Sequence, residues 1–170
     1  MAQLDAGGDM SVPAFVDEHW ADLMRLAVAL CRDHVAAEDL VQDCLERLLS
    51  RWGRVQSADS PLAYAKQSLV RLFIDQTRRR RVRLVELGES DGRSSDGGIS
   101  VVDGYLTALA MLRQLPPRER AVLALRYIEC MDDASIAHTL RITRSTVRTT
   151  AHHALRKLSV GTDTELEAAR

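Results

Sequence analysis

Apolar side chains recur along this chain at helical intervals, and the polar residues between them divide it into short amphipathic segments. Between Ser11 and Cys31 the set Val16, Trp20, Leu23, Met24, Ala27, Leu30 and Cys31 falls on one face, with Asp17, Glu18, Asp22 and Arg25 elsewhere, which predicts a first helix. Asp33 is placed to cap a second helix, with Ala37, Leu40, Val41, Cys44, Leu45, Leu48 and Leu49 as its apolar stripe. Glu38, Asp39, Asp43 and Glu46 form its acidic face, and it should end near Trp52 and Gly53. A polar loop follows through Ser60, which caps a third helix with Pro61 at its first position and Leu62, Ala65, Leu69, Leu72 and Phe73 inward. Tyr64 and Phe73 share that spacing and read as core residues. Further on, Tyr105 to Gln114, Pro116 to Tyr127, Asp133 to Leu140 and Arg144 to Leu158 are predicted helices, and Ser159 to Arg170 a frayed tail. All four prolines, Pro13, Pro61, Pro116 and Pro117, stand where a helix would begin. The expectation is an all-α protein.

Leu87 to Gly104 breaks the pattern, with five of the nine glycines, four serines and few large apolar residues. That is the composition of a flexible tether. It divides the 170 residues into two small helical domains, 11–86 and 105–158, joined by the linker 87–104 and followed by the tail 159–170.

Net charge is only -1, but its distribution is uneven. Met1 to Asp59 holds 5 basic and 11 acidic residues, Ser60 to Arg83 holds 7 and 1, Leu84 to Gly104 holds 1 and 5, and Tyr105 to Arg170 holds 10 and 7. The run Arg78 to Arg81 suits a helix carboxyl end, yet four arginines at successive ~100° steps present charge on every side, as a phosphate-tracking segment would.

Chemistry of other kinds finds no support in the pattern. Cys31, Cys44 and Cys130 lie in apolar helix-like runs without ligand spacing, so a disulfide framework or metal site is not expected, and buried helical thiols are. His152 and His153 point in different directions on a helix; one should be exposed and the other packed. No grouping of nucleophile, base and oxyanion donors and no phosphate-binding glycine loop is present, so neither an enzyme nor a cofactor is expected. The amino terminus lacks a basic and apolar leader and no apolar run approaches a membrane span, which makes the cytoplasm the expected location.

The stretch MDDASIAHTLRITRSTVRTTAHHALRKL has helix-turn-helix spacing, with Ile136, Ala137 and Leu140 inward on one helix and Val147, Ala151, Ala154, Leu155 and Leu158 inward on the next. Outward lie Arg144, Ser145, Arg148, Thr149 and His152, with Arg156 and Lys157 near the helix end and no acid from Arg141 through Leu158. Such a surface suits major-groove and phosphate contacts, although helix pairs of this size also occur without DNA.

The carboxyl half, with LPPRER ahead of the helix-turn-helix, resembles region four of the extracytoplasmic-function sigma factors of bacterial RNA polymerase. AAEDLVQDCLERLL resembles sigma region 2.2, and PLAYAKQSLVRLFIDQTRRRR resembles regions 2.3 and 2.4. The resemblance implies that Asp39, Gln42, Asp43 and Glu46 dock on the clamp coiled coil of the largest polymerase subunit, and that region four meets the flap. It implies that Arg54, Gln56, Ser57, Arg71, Arg78, Arg79 and Arg80 serve the minus-ten element, with a base extruded at a few kcal/mol per step. Arg144, Ser145, Thr146, Arg148, Thr149 and His152 would serve the minus-thirty-five element. An anti-sigma protein is a further implied partner.

Three positions depart from the family pattern. Arg71 stands where asparagine is usual, Arg141 where the turn commonly has glycine, and Thr150 where an arginine is expected. The usual amide readout of the minus-ten element therefore does not carry over, an arginine at positive φ costs about 1 kcal/mol more than glycine, and with one phosphate cation fewer at Thr150 a reduced or altered upstream-element affinity is expected. Two rival readings use the same residues: a stand-alone helix-turn-helix regulator, and a sigma-like interaction protein that no longer opens promoters.

Overall fold

The computed structural model describes residues 10–86 and 104–168, and within them the chain is helical, without strands. The elements are α1 (Val12–Leu30), α2 (His34–Leu49), α3 (Trp52–Gln56), α4 (Pro61–Glu86), α5 (Gly104–Gln114), α6 (Pro117–Leu123), a π turn (Ala124–Ile128) that prolongs α6, α7 (Asp133–Leu140) and α8 (Arg144–Ala168). Residues 87–103 of the expected tether lie outside the described residues.

Local chemistry accounts for the boundaries. Ser11 accepts from the Ala14 amide at 3.3 Å, Asp33 from the Ala36 amide at 2.7 Å, and Ser60 from the Ala63 amide at 3.3 Å, so each supplies an acceptor that a helix start lacks. Pro13 lies in the first turn of α1, while Pro61 and Pro117 open α4 and α6.

In the amino-terminal half, α1, α2 and α4 pack together and α3 bridges α2 to α4. Leu23, Leu26, Leu30, Leu40, Val41, Leu69 and Val70 are fully buried there. Each buried leucine contributes roughly 1.5–3 kcal/mol, so α4 is held mainly by its apolar face. In the carboxyl-terminal half α6 and α7 pack on α8, around Val122, Leu125, Ile136, Val147 and Ala154. The halves do not stand apart: α1 packs against α5 and α6, α4 against α6 and α7, and the buried residues form one continuous cluster.

Several expectations need correction. Trp20, Leu49 and Leu155 are exposed, because each sits at the edge of its apolar stripe and the neighbouring helix does not reach it. Phe15, Leu26 and Ala29 complete the buried face of α1 instead. The second helix stops at Leu49, and Trp52 starts α3, anchored by its indole N–H donating to the Met10 carbonyl at 3.1 Å and by an edge-on contact of 5.4 Å with Phe15. Arg54 and Gln56 are thus helical rather than in a loop. The backbone expected to fray beyond Leu158 continues as helix to Ala168.

Cys130 is neither helical nor buried; it follows the π turn with φ 51°, in the left-handed region. Cys31 and Cys44 are buried, and desolvation pushes their thiols up to about 11 and about 12 respectively. Of the three thiols, only Cys130 is expected to react with a disulfide reagent in the native protein, the other two becoming available on unfolding. Counting released thiolate before and after denaturant checks this, and rapid native labelling of Cys44 would contradict the packing of α2 on α4.

Candidate nucleic-acid interface

The turn between α7 and α8 is built from three local devices. Asp132 accepts from the Ser135 amide at 2.7 Å and starts α7; Arg141 ends it in the left-handed region, at φ 54° and ψ 49°; Thr143 accepts from the Thr146 amide at 3.1 Å and starts α8. The Ile142 amide returns to the Ala137 carbonyl at 3.0 Å. Arg141 therefore adopts the positive φ expected of it, a conformation glycine takes at less cost.

With Val147, Ala151 and Ala154 buried, α8 presents Arg144, Ser145, Thr146, Arg148, Thr149 and His152 to solvent. Asp133 organises part of that surface: it accepts from Arg126 on the π turn and from Arg148 Nε at 3.1 Å. The hydrogen bond from Arg126, followed by that from Arg148, holds the Asp133 carboxyl below the usual range. Asp132 is lowered chiefly by the Ser135 amide. Both contributions are present above the ordinary carboxylate range and disappear as pH falls through the folded values, so acid loosens the start of α7. His152 and His153 are both exposed, with ring centroids 6.1 Å apart; the expected packing of one does not occur because Ala151 and Ala154 already occupy the inward positions.

The other expected site residues fall into two groups. On α4, Arg78, Arg79, Arg80 and Arg81 are exposed, as are Arg54 and Ser57 around α3, whereas Gln56 donates to the Met10 carbonyl at 2.9 Å. Arg71 is turned toward the carboxyl half, its Nε donating to the Thr139 carbonyl at 2.9 Å and its Nη2 to the His138 carbonyl at 3.2 Å. Burial, then the nearby Arg141 charge, lowers its pKa. On α2, Asp39, Gln42, Asp43 and Glu46 are exposed, and Asp43 accepts from Gln76 Nε2 at 2.7 Å. Val35 and the half-exposed Leu49 lie at the two ends of this helix.

Sequence reasoning missed Arg120, in the LPPRER run. It is 2% exposed and donates to the carbonyls of Leu30 at 2.6 Å, Leu115 at 2.9 Å and Arg113 at 3.1 Å. Desolvation, then Arg32, pushes it down to about 10, so it stays charged at neutral pH. An apolar groove of about 350 Å³ opens between α5, the π turn and α8, lined by Leu109, Leu112, Tyr127, Leu155 and Leu158 among others.

Two sequence families match the chain, sigma-70 region 2 over residues 15–83 and sigma-70 region 4 over residues 105–158. The ECF RNA polymerase sigma factor SigL of Mycobacterium tuberculosis is 33% identical over 154 residues, covering 85% of either chain. This chain belongs to the ECF sigma factors. The RNA polymerase sigma-E factor of Streptomyces antibioticus is 31% identical over 137 residues, covering 80% of this sigma factor and 76% of its relative. Two solved structures share the fold: RpoE in complex with the anti-sigma factor NepR from Bartonella quintana, with a TM-score of 0.62 at 21% identity over 85% of this chain and 93% of that one; and CnrH in complex with the cytosolic domain of CnrY, with a TM-score of 0.59 at 19% identity over 94% and 92%. As an alternative sigma factor, the protein directs core RNA polymerase to promoter DNA in transcription initiation, and regions 2 and 4 in one chain do not favour a stand-alone regulator. Sigma factors generally regulate transcription without catalysing a reaction. No helix among the described residues is long and apolar enough to cross a membrane.

Proposed function

We propose that this sigma factor divides its work among four surfaces. The acidic face of α2, with Asp39, Gln42, Asp43 and Glu46, docks on the clamp coiled coil, where the exposed Leu49 adds apolar contact. Arg54, Gln56, Ser57, Arg78, Arg79 and Arg80 serve the minus-ten element. Arg144, Ser145, Thr146, Arg148, Thr149 and His152 serve the minus-thirty-five element, and the apolar groove beside α8 receives the flap. The domains are 11–86 and 105–158, with 87–104 as tether. The protein works in the cytoplasm without a cofactor or a catalytic step of its own, and an anti-sigma protein regulates it, as NepR and CnrY accompany the two structural relatives.

The observation that carries this reading is the exposed face at the start of α8, which has no acid of its own and whose Arg148 is fixed by Asp133 on α7. Helix amino-terminal residues on such a face reach base edges while arginines hold phosphates. The test is reconstitution with core polymerase on a genomic-fragment library: new transcript starts sharing a bipartite motif support the reading, and stable core binding without starts favours a sigma-like interaction protein. Arg148→Ala should lower affinity for the upstream duplex by about tenfold, the equivalent of roughly 1.4 kcal/mol within the usual range for one arginine contact. Fluorescence anisotropy with a labelled duplex measures it, and unchanged affinity would move recognition to another face.

A further inference from the structure

The two arginines at the start of α8 differ in what holds them. The Arg144 side chain feels the Asp132 charge but makes no hydrogen bond among the described residues, whereas Arg148 Nε donates to Asp133 Oδ2 at 3.1 Å. Asp133 is itself anchored, because its other oxygen accepts from Arg126 Nη2. Arg126 lies within the π turn, bracketed by the bond from the Glu129 amide to the Ala124 carbonyl at 3.2 Å. The Asp133 side chain is 26% exposed against 73% for Arg148, so the enclosed group sets the position and the open one takes it. The start of α7 does not depend on this contact, since Asp132 caps it by accepting from the Ser135 amide at 2.7 Å.

We propose that Asp133 is a positioning residue for promoter recognition, which presets Arg148 to read a guanine end-on in the major groove while the untethered Arg144 holds phosphate. The proposal rests on the reading that this face of α8 meets the minus-thirty-five element. With Nε given to Asp133, the two terminal nitrogens of Arg148 have no partner among the described residues and form a fork of donors. Guanine offers two acceptors to such a fork, O6 and N7, whereas adenine offers one acceptor beside a donor, thymine one acceptor, and cytosine a donor. A side-on approach would need Nε, which Asp133 occupies.

An ion pair with one partner this open stabilises the fold little, so the consequence of the contact lies in order rather than stability. Reading a base edge requires a fixed geometry, and phosphate binding tolerates motion. Ordering a free arginine at an interface weakens binding by about two- to tenfold, a loss that Asp133 removes in advance for the matching base. The same carboxylate repels the phosphate backbone, and its removal also frees the Arg126 charge. Asp133 therefore raises discrimination while lowering general affinity for DNA, and the opposite signs distinguish positioning from a merely structural role.

Two measurements on the full chain test this. In the free protein the Arg148 Nε–H, assigned by its loss in Arg148→Lys, should give a rigid, slowly exchanging NMR signal that Asp133→Ala abolishes; equal mobility in parent and variant overturns the positioning role. Second, the protein is used to select from duplexes randomised over one helical turn, about ten base pairs, and its affinity for the selected duplex and the unselected pool is then measured. Asp133→Ala should lower the preference for guanine at one position by about two- to tenfold, with affinity for the unselected pool unchanged or higher. Asp133→Asn should fall between, because one carbonyl oxygen serves only one of the two arginines. Arg144→Ala should weaken both affinities alike. In an Arg148→Ala background Asp133→Ala should change the preference no further, and a further loss overturns the proposal. If Arg148→Ala leaves the preference intact, or the parent selects no sequence, the recognition reading fails and the proposal with it, while the NMR signal still decides whether Asp133 orders Arg148.

Discussion

Reversing Asp39 and Asp43 to lysine together should weaken binding to core polymerase by at least about 100-fold while leaving the helical fold intact. The two carboxylates are exposed and one turn apart on α2, opposite the stripe of Ala37, Leu40, Val41, Cys44 and Leu48 that secures the helix. On the proposed docking, reversal replaces two attractions with two repulsions, and like-charge juxtaposition costs several kcal/mol; about 3 kcal/mol already corresponds to 100-fold. The folded state loses little by comparison, since the Gln76–Asp43 contact is at the surface. A titration of labelled protein with core enzyme, repeated at increasing salt, measures the loss, and the parent's affinity should itself fall with ionic strength. Unchanged binding by a folded variant would mean that the acidic face is only solvated.

How much of this could be read from the sequence depends on where the determining interaction lies. Caps are local, so Asp33, Ser60, Pro61 and Pro117 located helix starts that the structure repeats within a residue or two. The helix-turn-helix was legible for the same reason, including the positive φ at Arg141, because its turn is made by neighbours in the chain. By contrast α3, five residues with a glycine, is too short for periodicity to register, and Trp52 is positioned by Met10, 42 residues away. Stripe edges were also unreadable: Trp20, Leu49 and Leu155 have the right spacing, but only the partner helix decides which edge is covered.

The arginines illustrate the limit most clearly. Arg71 and Arg120 look like Arg78 or Arg148 in a charge count, yet their acceptors are main-chain carbonyls, which every residue possesses and which leave no mark on sequence. A basic residue read as a phosphate ligand can therefore be an internal cap. Their surroundings differ: Arg148 is open to solvent, Arg71 is partly covered and Arg120 is enclosed.

Arg120→Ala should be the most destabilising single substitution in the carboxyl half, at about 3–5 kcal/mol. The side chain fills a buried site and satisfies the carbonyls of Leu30, Arg113 and Leu115, so truncation leaves both a cavity and acceptors without donors. These bonds hold the guanidinium against its desolvation, while burial, then the nearby Arg32 charge, lowers its pKa to about 10. Arg120→Met separates the two losses: it restores much of the volume without the donors, so it should recover part of the stability but not all of it. For a protein of this size 1 kcal/mol moves Tm by roughly 2–4 °C, and the alanine variant should melt on the order of 10 °C below the parent. Calorimetry on the parent and both variants gives the order directly. Equal melting of the parent and the methionine variant would show that the three hydrogen bonds only offset the cost of burying the charge, and that Arg120 contributes through volume alone.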